Sequence, residues 1–174
     1  YKNTFKPTFS GNPIQVLIED TQACRRYAGV SINGITVKES PKWLQQKLTS
    51  IGLKPINNIV DITNFILHET GQPLHAFDTA KITGNNIIVK KLKEGALFTT
   101  LDEKERKLSA NDLMICNAEK PMCIAGVFGG LESGVTPLTK NVFIESAWFD
   151  PVTIRKTSVF HGLKTDAAAR FEKG

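Results

Sequence analysis

The sequence predicts an α+β fold, a layered β-sheet core with flanking helices. Three observations predict it. Short runs rich in apolar and β-branched residues fall before residue 33 and again between 86 and 149. Helix-start signals stand ahead of the middle block and after it. The regular strand–helix alternation of a doubly wound parallel sheet is missing.

Taken in order, Ile14–Glu19 and Tyr27–Ile32 read as strands. Ser40 followed by Pro41 reads as a helix cap and first turn. Trp43, Leu44, Leu48 and Ile51 give that helix one apolar face, and Gly52 ends it. A second helix is expected over Asn58–Glu69, stopped by Gly71 and Pro73. It is apolar on most sides but keeps a polar stripe of Asp61, Asn64 and His68, with Thr63 beside it. Such groups must be satisfied internally or face a cavity.

The middle is β-rich. Asn86–Leu92 alternates, Ala96–Leu101 and Glu105–Leu108 flank a turn at Asp102-Glu103, and Leu113–Cys116 precedes a turn at Asn117–Lys120. Met122–Val127 reads as a strand broken at Gly129-Gly130, and Asn141–Phe149 as a strand with Glu145 inside it. Asp150-Pro151 starts a helix that Gly162 closes, and Thr165 caps a last helix running to Glu172. Residues 1–40 read as N-terminal strands of the same unit or the end of a preceding linker, and 41–174 as the main domain.

The chain has 174 residues, 41% hydrophobic and 22% charged, enough for one globular domain with a sizeable core. No run of about 18 apolar residues could span a membrane. Tyr1 opens no secretory segment, and both ends read as cuts inside a longer polypeptide. The net charge is +5. Arg155, Lys156, Lys164, Arg170 and Lys173 outnumber Asp166 and Glu172 near the C-terminus, which reads either as a solvated face or as a nucleic-acid footprint. Cys24, Cys116 and Cys123 match no zinc spacing and read as free buried thiols, so no metal ligands are expected.

Four constellations rise above background: 52–58 running into Asp61, Thr63 and Asn64; 71–78 with His75; 125–130 with Glu145 in the following strand; and 161–167. Asn57 and Asn58 read equally as helix caps and as functional groups. His75, in a short connection after Pro73, reads first as a structural histidine. The glycines at 126, 129 and 130 lack the context of a phosphate loop, and close packing accounts for them. Glu145 differs, because a carboxylate inside an apolar strand is costly unless it is paired or functional. No nucleophile elbow occurs, so a hydrolase built on this chain would position water.

Leu53–Asn64, Gly71–Asp78, Gly126–Gly130 and His161–Ala167 together resemble the signature of the phenylalanyl-tRNA synthetase beta subunit, from about Pro41 to Gly174. The resemblance implies that family's editing domain, which hydrolyses tyrosine wrongly esterified to the phenylalanine tRNA. It implies that Glu145 and the backbone of Gly126 read the phenol, and that His75, Thr63 and Asn64 hold water and the terminal adenosine ester. Gly129, Thr165 and Ala167 would line the pocket, and Lys54 would contact RNA. Lys54 stands where many members carry Arg, keeping the charge but not the bidentate fork. Ala168-Ala169 replace the family's Ser-His. The resemblance further implies a cytoplasmic heterotetramer. Its partners would be the tRNA(Phe) acceptor end, the rest of the beta subunit and the alpha subunit. No cofactor is expected on this fragment, since ATP and magnesium serve the whole synthetase elsewhere, and the fragment alone should not aminoacylate.

The chemistry suits such a task. An apolar pocket rejects an added hydroxyl by only about 10²-fold. A site offering that hydroxyl a buried acceptor inverts the preference, because phenylalanine leaves the acceptor unpaired at a cost of about 1–3 kcal/mol. A non-catalytic tRNA-binding or scaffold domain is the alternative reading, and a freestanding deacylase a third.

Overall fold

The computed structural model describes residues 13–173, together with Lys6 and Thr8. Four helices and ten strands build three sheets. The largest sheet runs β1 (Gln15–Ile18), β4 (Asn86–Lys91), β7 (Leu113–Cys116), β8 (Pro121–Ile124), β9 (Phe128–Gly129). Its β1–β4 pair is parallel and the others antiparallel. A second sheet sets β10 (Asn141–Phe149) between β2 (Cys24–Asn33) and β3 (His75–Asp78), both antiparallel to it. A hairpin of β5 (Leu97–Thr99) and β6 (Glu105–Lys107) stands apart. The α+β expectation holds, and β1 and β2 are paired into the sheets.

One apolar core joins the two larger sheets: Ile87, Val89, Met114 and Ile115 pack in the same cluster as Phe77, Phe143 and Phe149. All four residues of β7 are buried, as a central strand covered on both faces requires. Removing this area from water is the main favourable term in folding.

The helices begin and end largely where local chemistry dictates. α2 (Asn58–Thr70) is capped by Asn57, whose Oδ1 accepts from the Ile59 and Val60 amides at 3.0 Å each, and it ends at Gly71 with φ 81°. α3 (Pro151–His161) starts from Asp150, which accepts from Thr153 N at 2.8 Å. α4 (Asp166–Phe171) is capped by Thr165 Oγ1, which accepts from Ala168 N at 3.1 Å.

Four sequence expectations need correction. α1 (Lys42–Ser50) has Pro41 at its cap position and no side-chain cap. The Ser40 hydroxyl instead donates to Asp61 Oδ2, a buried bond worth more than a solvent-exposed cap. Asp61 thus takes the first of the two alternatives open to the polar stripe, internal satisfaction. It is fully buried and also accepts from Ile56 N at 2.8 Å, tying the 51–57 connection to α2. On α1 only Leu44 and Leu48 are buried. Ile51 lies open, and Trp43 sets its ring edge-on to Phe65 at 5.6 Å. His75 lies on a strand, not in a connection; the four-residue β3 has no β-branched residue to announce it. The expected strand 122–127 stops at Ile124, because Gly126 adopts φ 67° and Val127 N closes a turn onto Ile124 O at 3.0 Å.

Candidate active site

The side chains of β3 and β10 that point one way from the second sheet meet the glycine turn after β8, the middle of α2 and the start of α4. Between them lies a cavity of about 380 Å³. His75 and Glu145 are direct register partners across the β3–β10 pair, so both project from the same face. Thr63 and Asn64 reach the cavity from α2, Gly126 and Gly129 from the turn and β9, and Thr165 and Ala167 from the start of α4. Eight of the nine residues expected to form a site thus share one hollow. Lys54 does not; it is exposed on the loop between α1 and α2 and borders no part of the cavity.

The walls are otherwise largely apolar, with Leu67, Leu74, Leu101, Val127, Phe128 and Phe171 prominent. This greasy setting shifts the two titratable groups in opposite directions. Burial pushes the Glu145 carboxyl up to about 7, against the lowering effect of a hydrogen bond from Tyr27. Burial pushes His75 down to about 4, so its ring is neutral at physiological pH. The residue is half-buried as a whole, but its Nε2 is out of reach of solvent and has no partner among the described residues. Its ring packs edge-on to Phe77 at 4.4 Å.

At two of these positions a side chain would crowd its neighbours, and at Gly126 the backbone itself calls for glycine. A Cβ on Gly129 would stand 2.7 Å from Leu101 Cδ1 and 3.3 Å from His75 Cε1. On Gly126 it would meet Ile154 and Phe171 at 2.9 Å, in a left-handed backbone. The amides beside Gly126 bond to Leu113 O and Ile124 O. Among the described residues, the Gly126 N–H has no such acceptor. Thr63 Oγ1 donates back to Val60 O at 2.8 Å, and Thr165 Oγ1 donates to Val127 O at 2.9 Å, joining α4 to the glycine turn.

Sequence reasoning missed Tyr27. Its hydroxyl donates to Glu145 Oε2 at 2.6 Å from the neighbouring strand β2. Burial and the nearby Glu145 charge hold the Tyr27 phenol well above its usual range, so it remains a donor. The two residues lie 118 positions apart, and no local pattern marks them as partners. A larger, open groove of about 780 Å³ runs past Lys81, Phe98, Lys120 and Leu131 and meets the cavity at Gly134. It contains none of the expected catalytic or binding residues.

The cavity offers a ligand one buried carboxyl, a neutral imidazole, an amide and a hydroxyl within apolar walls. That is equipment for recognising a small, largely apolar group that carries a hydroxyl. The chain belongs to the B3/4 domain family, whose pattern matches residues 23–174. It is 64% identical over 161 residues to the phenylalanine–tRNA ligase beta subunit of Bacteroides thetaiotaomicron, covering 92% of this chain and 20% of that protein. It is 57% identical over 162 residues to the beta subunit of Porphyromonas gingivalis, with the same coverage. The chain thus spans about a fifth of the length of these relatives. Its fold matches the crystal structure of an N-terminal fragment of the phenylalanyl-tRNA synthetase beta subunit from Pyrococcus horikoshii. There the TM-score is 0.57 at 15% identity, over 95% of this chain and 52% of that one.

Proposed function

We propose that this chain is the proofreading module of a phenylalanine–tRNA ligase beta subunit and hydrolyses tyrosine mistakenly esterified to tRNA(Phe). The observation that carries this reading is that Glu145, His75 and Gly126, whose N–H has no acceptor among the described residues, all line one largely apolar cavity. A tyrosine ring fills such a space while its phenol O–H donates to Glu145 and accepts from Gly126 N–H. Phenylalanine would leave Glu145 Oε1 and the Gly126 N–H without that partner, which disfavours it by about 1–3 kcal/mol for each.

Hydrolysis then needs only a held water, since the aminoacyl ester is already activated. His75, neutral and weakly basic, orients that water rather than keeping its proton, with Thr63 and Asn64 steadying the adenosine end. The water oxygen bonds to the ester carbonyl carbon, the bond from that carbon to the ribose oxygen breaks, and the water's proton passes, directly or through bulk water, to the departing ribose oxygen, freeing tyrosine and tRNA(Phe). Aminoacylation belongs to the assembled synthetase and its alpha subunit, in the cytoplasm; ATP and magnesium act there and not on these residues.

Deacylation of tyrosyl- and phenylalanyl-tRNA(Phe), by the chain and by the assembled synthetase, tests this reading. Faster release of tyrosine is expected; equal, background rates would remove it. A non-catalytic tRNA-binding role is favoured by one observation, that no described residue orients His75 Nε2. The same assay separates the two, because a pure binder would retain salt-dependent RNA affinity without hydrolysis.

A further inference from the structure

The buried carboxyl of the cavity is already hydrogen-bonded inside the protein, and the way it is bonded sets what it can offer. Across the β2–β10 pair, Gly29 lies opposite Glu145 and Tyr27 opposite Ala147. A Cβ on Gly29 would fall 2.0 Å from Phe143 Cζ, so no side chain fits directly opposite the carboxylate. The Phe143 ring covers Gly29, and Tyr27 reaches the carboxylate diagonally from its place opposite the small Ala147, as long aromatic side chains do between antiparallel strands. Its hydroxyl ends 2.6 Å from Glu145 Oε2. Among the described residues no donor is paired with Oε1.

We propose that Tyr27 is a positioning residue that sets the specificity of the site: its hydroxyl clamps Glu145 through Oε2 and leaves Oε1 as the single acceptor for a phenol bound in the cavity. This rests on the proofreading reading of the same site and adds a residue from outside the cavity wall. Two phenols then share one carboxylate, one supplied by the protein and one by the mischarged amino acid. The internal bond favours the charged form of Glu145, while burial favours the neutral form. A neutral carboxyl carries an O–H of its own, and it discriminates less between a ring with a hydroxyl and one without. Tyr27 therefore keeps the reader in its selective state as well as in its place. The other titratable groups facing Glu145 are Cys24 from β2, His75 from β3, Cys123 from β8 and, across the cavity, Asp166 of α4. Burial raises both thiols, keeping them protonated, and His75 is neutral, so none supplies a cation that could substitute for the Tyr27 bond.

The test compares the assembled synthetase carrying wild-type or Tyr27→Phe chain in deacylation of tyrosyl- and phenylalanyl-tRNA(Phe) across pH. The wild type should prefer the tyrosyl ester, with an acid limb near pH 7. Tyr27→Phe should keep its thermal midpoint but lose several-fold of the preference, and its limb should move up by about one pH unit. A variant with wild-type preference and limb overturns the clamp while leaving proofreading intact. A wild type with no preference overturns proofreading, and the clamp with it. A second measurement does not depend on the variant folding: in wild type labelled with ring-¹³C tyrosine, the Tyr27 resonance should titrate with the midpoint of the acid limb. A Tyr27 signal insensitive to pH there overturns the clamp.

Discussion

His75 and Glu145 face each other across two antiparallel strands, and one apolar environment drives their protonation equilibria apart, to about 4 and about 7. Both are therefore largely neutral between those values. The pair gains a carboxylate as pH rises past 7 and an imidazolium only as pH falls toward 4.

Selectivity for a tyrosyl over a phenylalanyl ester should rise with pH through about 7, because an ionised Glu145 is an acceptor only. His75 should add no limb between pH 5 and 8, since it is already neutral there. Deacylation profiles of both esters check this; a preference that is flat from pH 5.5 to 8.5 would remove Glu145 as the reader.

Folding stability carries the same signature with a definite sign. The Glu145 carboxyl is raised from its ordinary 4.5 to about 7, so its contribution is complete below 4.5 and is lost as pH rises through 7. The interval corresponds to on the order of 3 kcal/mol. His75 is depressed, and its contribution is present above 6.5 and lost as pH falls toward 4, which partly masks the first slope. Glu145→Gln should lack the alkaline loss. Urea midpoints of variant and wild type at pH 5 and 8 should diverge, with the variant gaining relative stability at pH 8.

His75→Ala should lower kcat for tyrosyl-tRNA deacylation by about 10²-fold or more while leaving KM little changed, as expected for a group that positions the attacking water. Single-turnover kinetics measure it. Deacylation retained at the wild-type rate would exclude His75 from the chemistry.

Gly126→Ala should both destabilise and obstruct. The left-handed backbone and the 2.9 Å approaches to Ile154 and Phe171 together cost about 1–3 kcal/mol. Thermal unfolding would record the loss, and a fall in tyrosyl ester hydrolysis beyond it would report the narrowed cavity.

Away from the cavity, Asp112 accepts from Thr157 Oγ1 at 2.9 Å and from Ser109 N at 2.8 Å, and pairs with His161 Nε2 at 2.7 Å. Both side chains of that pair are almost wholly buried. Asp112→Ala should cost about 3–5 kcal/mol by stranding these groups. Chemical denaturation checks it, and a loss below about 1 kcal/mol would show the pair to be dispensable.

Much of this architecture was legible because it is written in short-range chemistry. Asn57, Asp150 and Thr165 cap their helices as their side chains predict, and Gly71 and Gly162 end theirs in left-handed backbone. Glu145 stood out as a charge inside a greasy strand. What escaped reading depends on partners distant in the chain. Ser40 has every local mark of a cap, yet its hydroxyl is drawn to Asp61, 21 residues on. Tyr27 looks like any strand aromatic until β10 is laid beside β2. Gly126 sits in a continuous apolar run that reads as a strand, and only its positive φ shows that the chain turns there. Lys54, chosen for its motif and charge, belongs to the open loop outside the hollow.

The hydroxyl of Thr165 binds Val127 O and the Ala168 amide at once, so the start of α4 and the turn at Gly126 form one rigid piece. The hollow cannot widen by swinging that helix outward without rupturing the Thr165–Val127 bond, since the cap bond to Ala168 travels with the helix. His68 of α2 approaches Asp166 at 3.8 Å, so the first turn of α4 is flanked by the glycine turn on one side and by α2 on another.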